Sequence, residues 1–308
     1  MRVIVLGQKG WIGGMVASLV RERHGEVFDC PSRPEQFEAF RADVRAIRPS
    51  HVILCIGRTH GTDLSGNTFS TIDVLEQNGM LSTNLRDNLV AVVNAAIVCR
   101  ELGIHLTYFG TGCIYEYALP HHPLEGKGFR EDDEPNFQKS SYSAVKSATD
   151  QILRAGFGDC VLNLRIRMPI TGRDHPRNFI TKIIGYPRIC SVPNSMSVLP
   201  DLLPCALDLL EAGSTGTFNL TNPGVVSHNE ILEMYREEVD PDHKWQNFTV
   251  DEQSELLAAP RSNNCLDTTR LQSTCQVPHI KDSVRSILRQ WGLTNRKKGE
   301  EEIRGENG

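Results

Sequence analysis

The sequence predicts a doubly wound α/β fold, a parallel sheet with helices on both faces, joined to a smaller C-terminal lobe. Three observations point there. A β-branched strand opens the chain and runs straight into a glycine-rich turn, strands and helices then alternate as far as residue 170, and beyond it the pattern becomes irregular and proline-rich. The chain has 308 residues and is 39% hydrophobic. A chain of this size can hide roughly 75% of its extended surface, enough for such a sheet and lobe.

MRVIVLG, residues 1–7, is the first strand, and its continuation GQKGWIGGMVASLVRER is a turn opening a long amphipathic helix. A strand this apolar belongs in the sheet interior. Gly7, Gly10 and Gly13 form GxxGxxG. Such glycines permit a tight turn, close approach of a pyrophosphate, and close passage of the helix over the strand. Trp11 and Ile12, inside the motif, lie in the first helical turn, where amides face phosphate oxygens. A tight turn without a ligand is the plainer alternative, but the placement between an N-terminal strand and a helix favours a Rossmann-like dinucleotide site.

The second strand is EVFDC, residues 26–30, followed by the turn PSR. An acidic group after this strand holds the adenosine ribose of a dinucleotide, whereas a cation serves a 2'-phosphate. Asp29 answers the first description and Arg33 the second. NADPH is therefore the expected cofactor, with NADH also open, and a solvated turn is the bland alternative for Arg33. A helix over 35–46 leads to HVILCIG at 51–57, the third strand. The polar loop from Arg58 to Gly79 then borders a ligand crevice, because the carboxyl ends of parallel strands collect functional loops. LSTNLRDNLVAVVNAAIVCRELG, 81–103, is a long crossover helix, and IHLTYFGTG, 104–112, the fourth strand.

YSAVK puts Tyr142 and Lys146 four residues apart, on one face of the helix read from SSYSAVKSATDQILRAG. A cation near a phenol favours the phenolate and eases proton exchange. Thr111 ends the fourth strand, where its hydroxyl can polarise the same carbonyl that Tyr142 protonates during hydride attack. Lys146 would hold the nicotinamide ribose and lower the phenol pKa. Alone, a YxxxK pair is more often an exposed helix contact; the glycine motif and Thr111 give it meaning.

Composition excludes other classes. Lys and Arg total 33 against 38 Asp and Glu, a formal charge of -5, which is not the basic field that gathers nucleic acid or an acidic membrane. Nine cysteines lie scattered without a CxxC pair, and no cationic apolar leader precedes them. The longest apolar run, LVAVVNAAIVC at 89–99, is too short for a membrane span and reads as a buried helix. A cytoplasmic protein is expected, with no membrane and no nucleic-acid partner; a homodimer is compatible with the sequence. The histidines form no HExxH or clustered ligand set, so no metal is expected, and His121 and His122 read as loop residues.

After LRIRMPI, a strand at 164–170, PRICSVPNSMSVLPDLLPCALDLLEAG reads as a short strand, a turn and a helix, and GTFNLTNPG as a strand returning to the sheet. Residues 1–170 are then mainly the dinucleotide-binding core, 171–295 mainly a substrate lobe with returning core elements, and the charged segment 296–308 a frayed tail. Ser227 and Glu230 form a capping-box pattern. Arg261, followed by Ser262, Asn263 and Asn264, is a compact polar cluster that suits a diphosphate, a ribose or a cap, or is simply a turn.

Taken together, GQKGWIGG, TGCIYEY, GFREDDEPNF, SSYSAVK, LRIRMPI, PRNFITKI, PNSMSVLPDLLP, FNLTNPGVVSHNEILEMY and APRSNN resemble the extended short-chain dehydrogenase/reductases. Within them the chain is similar to the plant-type nucleotide-rhamnose synthases, bifunctional 3,5-epimerase/4-reductases that complete UDP- or TDP-L-rhamnose from a nucleotide-4-keto-6-deoxy-D-glucose. The likeness extends to about residue 290. It implies that Gly7, Gly10 and Gly13 form the dinucleotide loop, that Arg33 is the cation for NADPH, and that Thr111, Tyr142 and Lys146 are the reductase triad. Asn84 would structure this site, and Cys113 and Lys182 would be the epimerisation pair. Arg167, Met168, Asn178, Asn194 and Arg261 fall in segments resembling the sugar-nucleotide pocket. The pattern departs between Thr59 and Gly79, where plant-like members carry Trp-Cys-Glu and this chain has FSTIDVLEQNG.

The epimerase reading is also chemically coherent. A ketone at C4 acidifies the protons on C3 and C5, so a base can remove either and an acid can return it on the opposite face. Lys182 serves as base only if its amine is desolvated or faces other cations; otherwise it is a phosphate contact or a surface lysine. Cys113 serves as the acid, or is a small buried hydrophobe. Two further readings stay open: a 4-dehydrorhamnose reductase without epimerase activity, and a non-catalytic dinucleotide-binding regulatory subunit.

Overall fold

The structure is a computed structural model that describes residues 1–118 and 128–306, with side chains as far as Asn295. His121 and His122 lie outside the described residues. The main sheet consists of β1 (Arg2–Leu6), β2 (Glu26–Phe28), β3 (His51–Leu54), β4 (His105–Thr111), β5 (Val161–Ile166) and β6 (Gly216–Asn219). All are parallel, in the spatial order β2-β1-β3-β4-β5-β6. The helices that matter here are α1 (Trp11–Glu22), α2 (Phe37–Ile47), α3 (Leu81–Leu85), α4 (Ala91–Glu101), α5 (Ser141–Phe157), α6 (Phe179–Ile184), α7 (Leu199–Glu211) and α8 (His228–Glu238).

Alternation along β1 sets the layers, because successive strand side chains point to opposite faces. Val3 and Val5 pack with Val16 and Val20 of α1 and with Leu202 and Leu209 of α7. Ile4 and Leu6 pack with Phe40 of α2, Val92 of α4 and Leu153 of α5. The doubly wound parallel sheet expected from the sequence is the observed core, with β1 in its interior. A third apolar cluster, which includes Ile170, Ile180, Ile183, Met196, Ile231, Val284 and Leu288, forms under the C-terminal lobe. The Ser227 and Glu230 capping box starts α8 as its pattern indicated.

Three elements differ from their expected form. The crossover helix at 81–103 is broken by a π turn over Arg86–Val90. There the Asn88 carbonyl accepts from the Thr149 hydroxyl at 2.8 Å while the Asn88 side chain clasps both backbone groups of Arg58 at 3.0 Å. Such bulges free a carbonyl from the helical ladder. The strand expected over 164–170 stops at Ile166, and Pro169–Ile170 pairs instead with Ser197–Val198 in the lobe. The break falls at Met168, whose φ of 39° is left-handed, a conformation that costs a non-glycine residue energy and needs its surroundings to impose it. Finally, the helix Ile280–Glu306 carries on through most of the charged tail expected to fray, whose Glu, Lys and Arg are good helix formers; residues 307 and 308 lie outside the described residues. Among the described residues no helix is long and apolar enough to cross a membrane.

Under the sheet, Arg165 on β5 and Asp150 on α5 form a two-pronged ion pair at 2.9 and 2.6 Å, with side chains 0% and 6% exposed. Asn163 adds a third bond to the same carboxylate at 2.7 Å. Removing one partner of a buried pair strands the other charge. Asp150→Ala is therefore expected to lower unfolding stability by about 3–5 kcal/mol, read by urea denaturation. A loss below about 1 kcal/mol would mean that water reaches the Arg165 guanidinium.

Candidate active site

The glycine turn has the shape a pyrophosphate needs. Gly7 has φ 90°, and a Cβ there would lie 2.6 Å from the Cys55 carbonyl oxygen. A Cβ on Gly13 would stand 2.1 Å from the Gly7 oxygen, because α1 passes directly over the end of β1. Gly10 precedes the helix, and no side chain caps it. The amides at Trp11, Ile12 and Gly13 are thus the free donors of a helix N-terminus, and anions favour that position. Beyond β2, the Asp29 carboxylate takes the Gln8 side-chain amide from the glycine turn. Arg33 stands 73% exposed with only a 3.5 Å contact to Glu35. Both groups sit at the edge where an adenosine ribose would lie, and this cradle fits a dinucleotide.

At the carboxyl end of β4 the residues expected to form the reductase triad come together. Thr111 and Tyr142 are both buried; the Thr111 hydroxyl accepts the Cys113 amide at 3.1 Å and, lying beside the Tyr142 phenol, favours its ionised form. Asn84, fully buried on α3, donates to the Ser141 hydroxyl at 2.9 Å and accepts from Asn88 at 2.8 Å, tying the crossover helix to the first turn of α5. Lys146 follows one turn after Tyr142 but donates to the Tyr108 hydroxyl; its ammonium is 5.9 Å from the Tyr142 ring centre. The expected lowering of the phenol by Lys146 is absent. Burial pushes the Tyr142 phenol well up, the neighbouring Cys113 adds to this, and only the Thr111 hydrogen bond opposes it. The Lys146 ammonium, itself desolvated, is brought down to about 8 despite Asp150 and Cys113 nearby.

The lobe faces this cluster. Lys182 on α6 reaches the Ser70 carbonyl at 3.3 Å, and burial, then Arg177 and Arg261, lower its pKa. Those are the two conditions a lysine base requires. Cys113 is half-buried and packs with Tyr142, Phe69 and Ile72, so thiol and phenol share one apolar wall. Arg261 is held by Asp73 and by the Ala259 carbonyl at 2.7 Å.

Three residues taken from the resemblance as pocket residues are instead engaged in the framework. All five N–H groups of Arg167 are occupied, by Ser195 O, Gly112 O, the Ser262 hydroxyl, Asn194 Oδ1 and Ser262 O, at 2.7 to 3.3 Å. No donor is left for a diphosphate. Asn194 accepts that bond and donates to Val192 O and Asn263 Oδ1 at 3.1 and 2.8 Å. Asn178 is the N-cap of α6, accepting from Ile180 N at 3.2 Å and donating to Thr171 O and Arg173 O at 2.8 Å. Met168, half-buried at the strained bend, and Arg261 are the two of the five that keep exposed surface.

No protein-family model matches the chain. It is 46% identical to the L780 UDP-rhamnose synthase of Acanthamoeba polyphaga mimivirus, whose crystal structure superposes with a TM-score of 0.89 over 94% of this chain and 99% of that one. It is 39% identical to the bifunctional dTDP-4-dehydrorhamnose 3,5-epimerase/dTDP-4-dehydrorhamnose reductase of Arabidopsis thaliana, over 93% of this chain and 91% of that protein. The chain belongs to the bifunctional nucleotide-rhamnose synthase family of extended short-chain dehydrogenase/reductases. A dTDP-4-dehydrorhamnose reductase from Bacillus anthracis, solved with NADP, shares the fold at a TM-score of 0.75 and 17% identity, over 94% of this chain and 98% of that one.

Within this synthase fold, several site residues escape the sequence. Tyr108 reads as a core aromatic, and its partner Lys146 lies 38 residues away. Glu76 accepts the Ser141 amide at 2.7 Å and the Tyr142 amide, capping the helix that carries the phenol. Asp73 holds Arg261 and accepts the Ala259 amide at 2.9 Å. Both acids come from the segment that departs from the plant-like pattern. Gly13→Ala is expected to weaken dinucleotide binding at least 100-fold, since the 2.1 Å approach forces the turn open. Calorimetric titration with NADP+ checks this; an affinity within threefold of wild type would refute the cradle.

Proposed function

We propose that the protein converts a nucleotide-4-keto-6-deoxy-D-glucose to the nucleotide-L-rhamnose by 3,5-epimerisation and then reduction at C4, with UDP as the carrier and NADPH as the cofactor. The observation that carries this reading is that Lys182 meets Ser70, the neighbour of Phe69, which belongs to the apolar cluster of Cys113 and Tyr142. Thr111, Tyr142 and Cys113 sit together on the core, and Lys182, depressed by burial and by two arginines, reaches the same loop from the lobe. A reductase alone has no use for a desolvated lysine there, and a regulatory binding subunit has no use for a buried threonine-tyrosine pair. The similarity to the mimivirus UDP-rhamnose synthase supports UDP; the exposed Arg33 at the ribose edge supports NADPH over NADH.

In the epimerase phase Lys182, in its deprotonated form, takes the proton from C3 or C5, the electron pair moves into an enolate at C4, and Thr111 and Tyr142 hydrogen-bond its oxygen. The Cys113 thiol returns a proton to the carbon on the other face. Ammonium and thiolate then reset through solvent before the second centre reacts. NADPH, when bound on the glycine turn, supplies the hydride that reduces C4. Tyr142 gives its proton to the resulting alkoxide, and burial keeps that phenol protonated until then. Lys146, buried beside it with Tyr108, is set to hold the nicotinamide ribose and to carry the replacement proton.

Proton exchange in D2O without NADPH, followed by NMR on the 4-keto sugar, separates the two chemistries. Wild type is expected to exchange at C3 and C5. Cys113→Ala and Lys182→Ala should each slow exchange by roughly 100-fold or more. Tyr142→Phe should slow exchange less than either of these, since Thr111 still donates to the enolate oxygen, while lowering single-turnover NADPH oxidation by a similar factor with NADP+ affinity retained. Normal exchange in both epimerase variants would remove them from that role, and no exchange in wild type would leave a reductase. For cofactor choice, Arg33→Ala should raise the KM for NADPH about tenfold or more and leave that for NADH nearly unchanged; equal changes would sink the 2'-phosphate contact.

A further inference from the structure

The short segment between the bend at Met168 and α6 crosses from the lobe to the dinucleotide core and touches it twice. The His175 imidazole stacks on the Trp11 indole with ring centres 4.9 Å apart and planes 6° from parallel. Two residues later, Arg177 donates to the His60 ring at 2.7 Å, on the loop after β3. Among the described residues Arg177 makes no ion pair. Trp11 is the first residue of α1, whose amides form the phosphate cradle.

The same segment is welded to the helix that carries Lys182. The His175 amide donates to the Thr181 hydroxyl at 3.2 Å, and its carbonyl accepts the Asn178 amide at 2.9 Å. The Thr181 hydroxyl donates to Asp174 at 2.9 Å. His175 Nδ1 accepts the Arg177 amide at 3.1 Å, which makes the ring the neutral tautomer with its face free to stack. Asn178 then caps α6, and the Lys182 amide returns to the Asn178 carbonyl at 3.1 Å. A displacement of Trp11 therefore reaches Lys182 through one aromatic contact and one capped helical turn.

We propose that His175 is a positioning residue: its stack on Trp11 is a clasp through which dinucleotide on the glycine turn fixes α6 and so sets Lys182 for proton abstraction. Pyrophosphate bound to the α1 amides holds Trp11 still, Trp11 holds His175, and Arg177 keeps its guanidinium beside Lys182. Epimerisation then proceeds fastest when the cofactor for the following reduction is already in place, so the epimerised ketone is reduced before it leaves. The clasp rests on the proposed epimerase role of Lys182, and its test is separable from that role.

The probe is NADP+, which fills the cradle but carries no hydride, so exchange at C3 and C5 is followed without reduction. Wild-type exchange is expected to rise about fivefold or more at saturating NADP+, the range of a coupling of about 1 kcal/mol or more. In His175→Ala the rise should fall below about twofold, and His175→Phe, which keeps a flat ring on Trp11, should restore most of it. Exchange in wild type that is insensitive to NADP+, or an undiminished response in His175→Ala, overturns the clasp. Should wild type show no exchange at all, the epimerase reading fails, and with it the role given to the clasp. NADP+ affinity by calorimetry then reports on the contact itself: His175→Ala should bind several-fold more weakly than wild type and His175→Phe, and equal affinity in all three discards it.

Discussion

Arg167 lies where three parts of the chain meet, and it ties the lobe to the end of β4. Its guanidinium joins the end of β4 at Gly112 to the lobe at Asn194 and Ser195 and to the returning segment at Ser262. It is 1% exposed and burial lowers its pKa, yet it keeps its charge because five acceptors replace water. Its backbone is equally engaged, bonding Ser197 through both amide and carbonyl. Buried charges persist when every donor is met, and removal of one acceptor leaves a costly orphan. Held at both ends, the chain turns at Met168 with a left-handed φ and enters the lobe.

That turn decides what faces the core. Thr111, Tyr142 and Lys146 belong to β4 and α5, which are fixed by the sheet and by the buried Arg165 and Asp150 pair. Lys182 belongs to α6, which follows the bend and is oriented by Asn178. The proposed reductase triad needs only the core, whereas the proposed base, Lys182, needs the lobe as well. The segment Ser70 to Glu76 completes the link, since Ser70 meets Lys182, Asp73 meets Arg261, and Glu76 caps α5.

Burial serves chemistry differently on the two sides. On the core side it keeps the Tyr142 phenol protonated and moves the Lys146 ammonium toward neutrality. On the lobe side burial and two neighbouring arginines depress Lys182. Arg177 comes from the same PRNFITKI stretch as Lys182, whereas Arg261 arrives from a segment some eighty residues on, and no local motif places it there.

The sequence by itself determined the layers, the shape of the glycine turn and the shared helix face of Tyr142 and Lys146. Alternation along MRVIVLG, the spacing of Gly7, Gly10 and Gly13, and the four-residue step from Tyr142 to Lys146 are local properties, and local sterics decide them. The resemblance pointed further, to Cys113 and Lys182. It also assigned Arg167, Asn178 and Asn194 to the pocket, and there the tertiary structure decided otherwise. Whether a polar side chain faces a ligand or a neighbouring carbonyl depends on partners dozens of residues away, as with Arg167 and Ser262. The same holds for Tyr108 on Lys146, Glu76 on the first turn of α5 and His175 on Trp11. Those contacts exist only once segments far apart in the chain are brought together, and no period or spacing in the chain encodes where such segments meet.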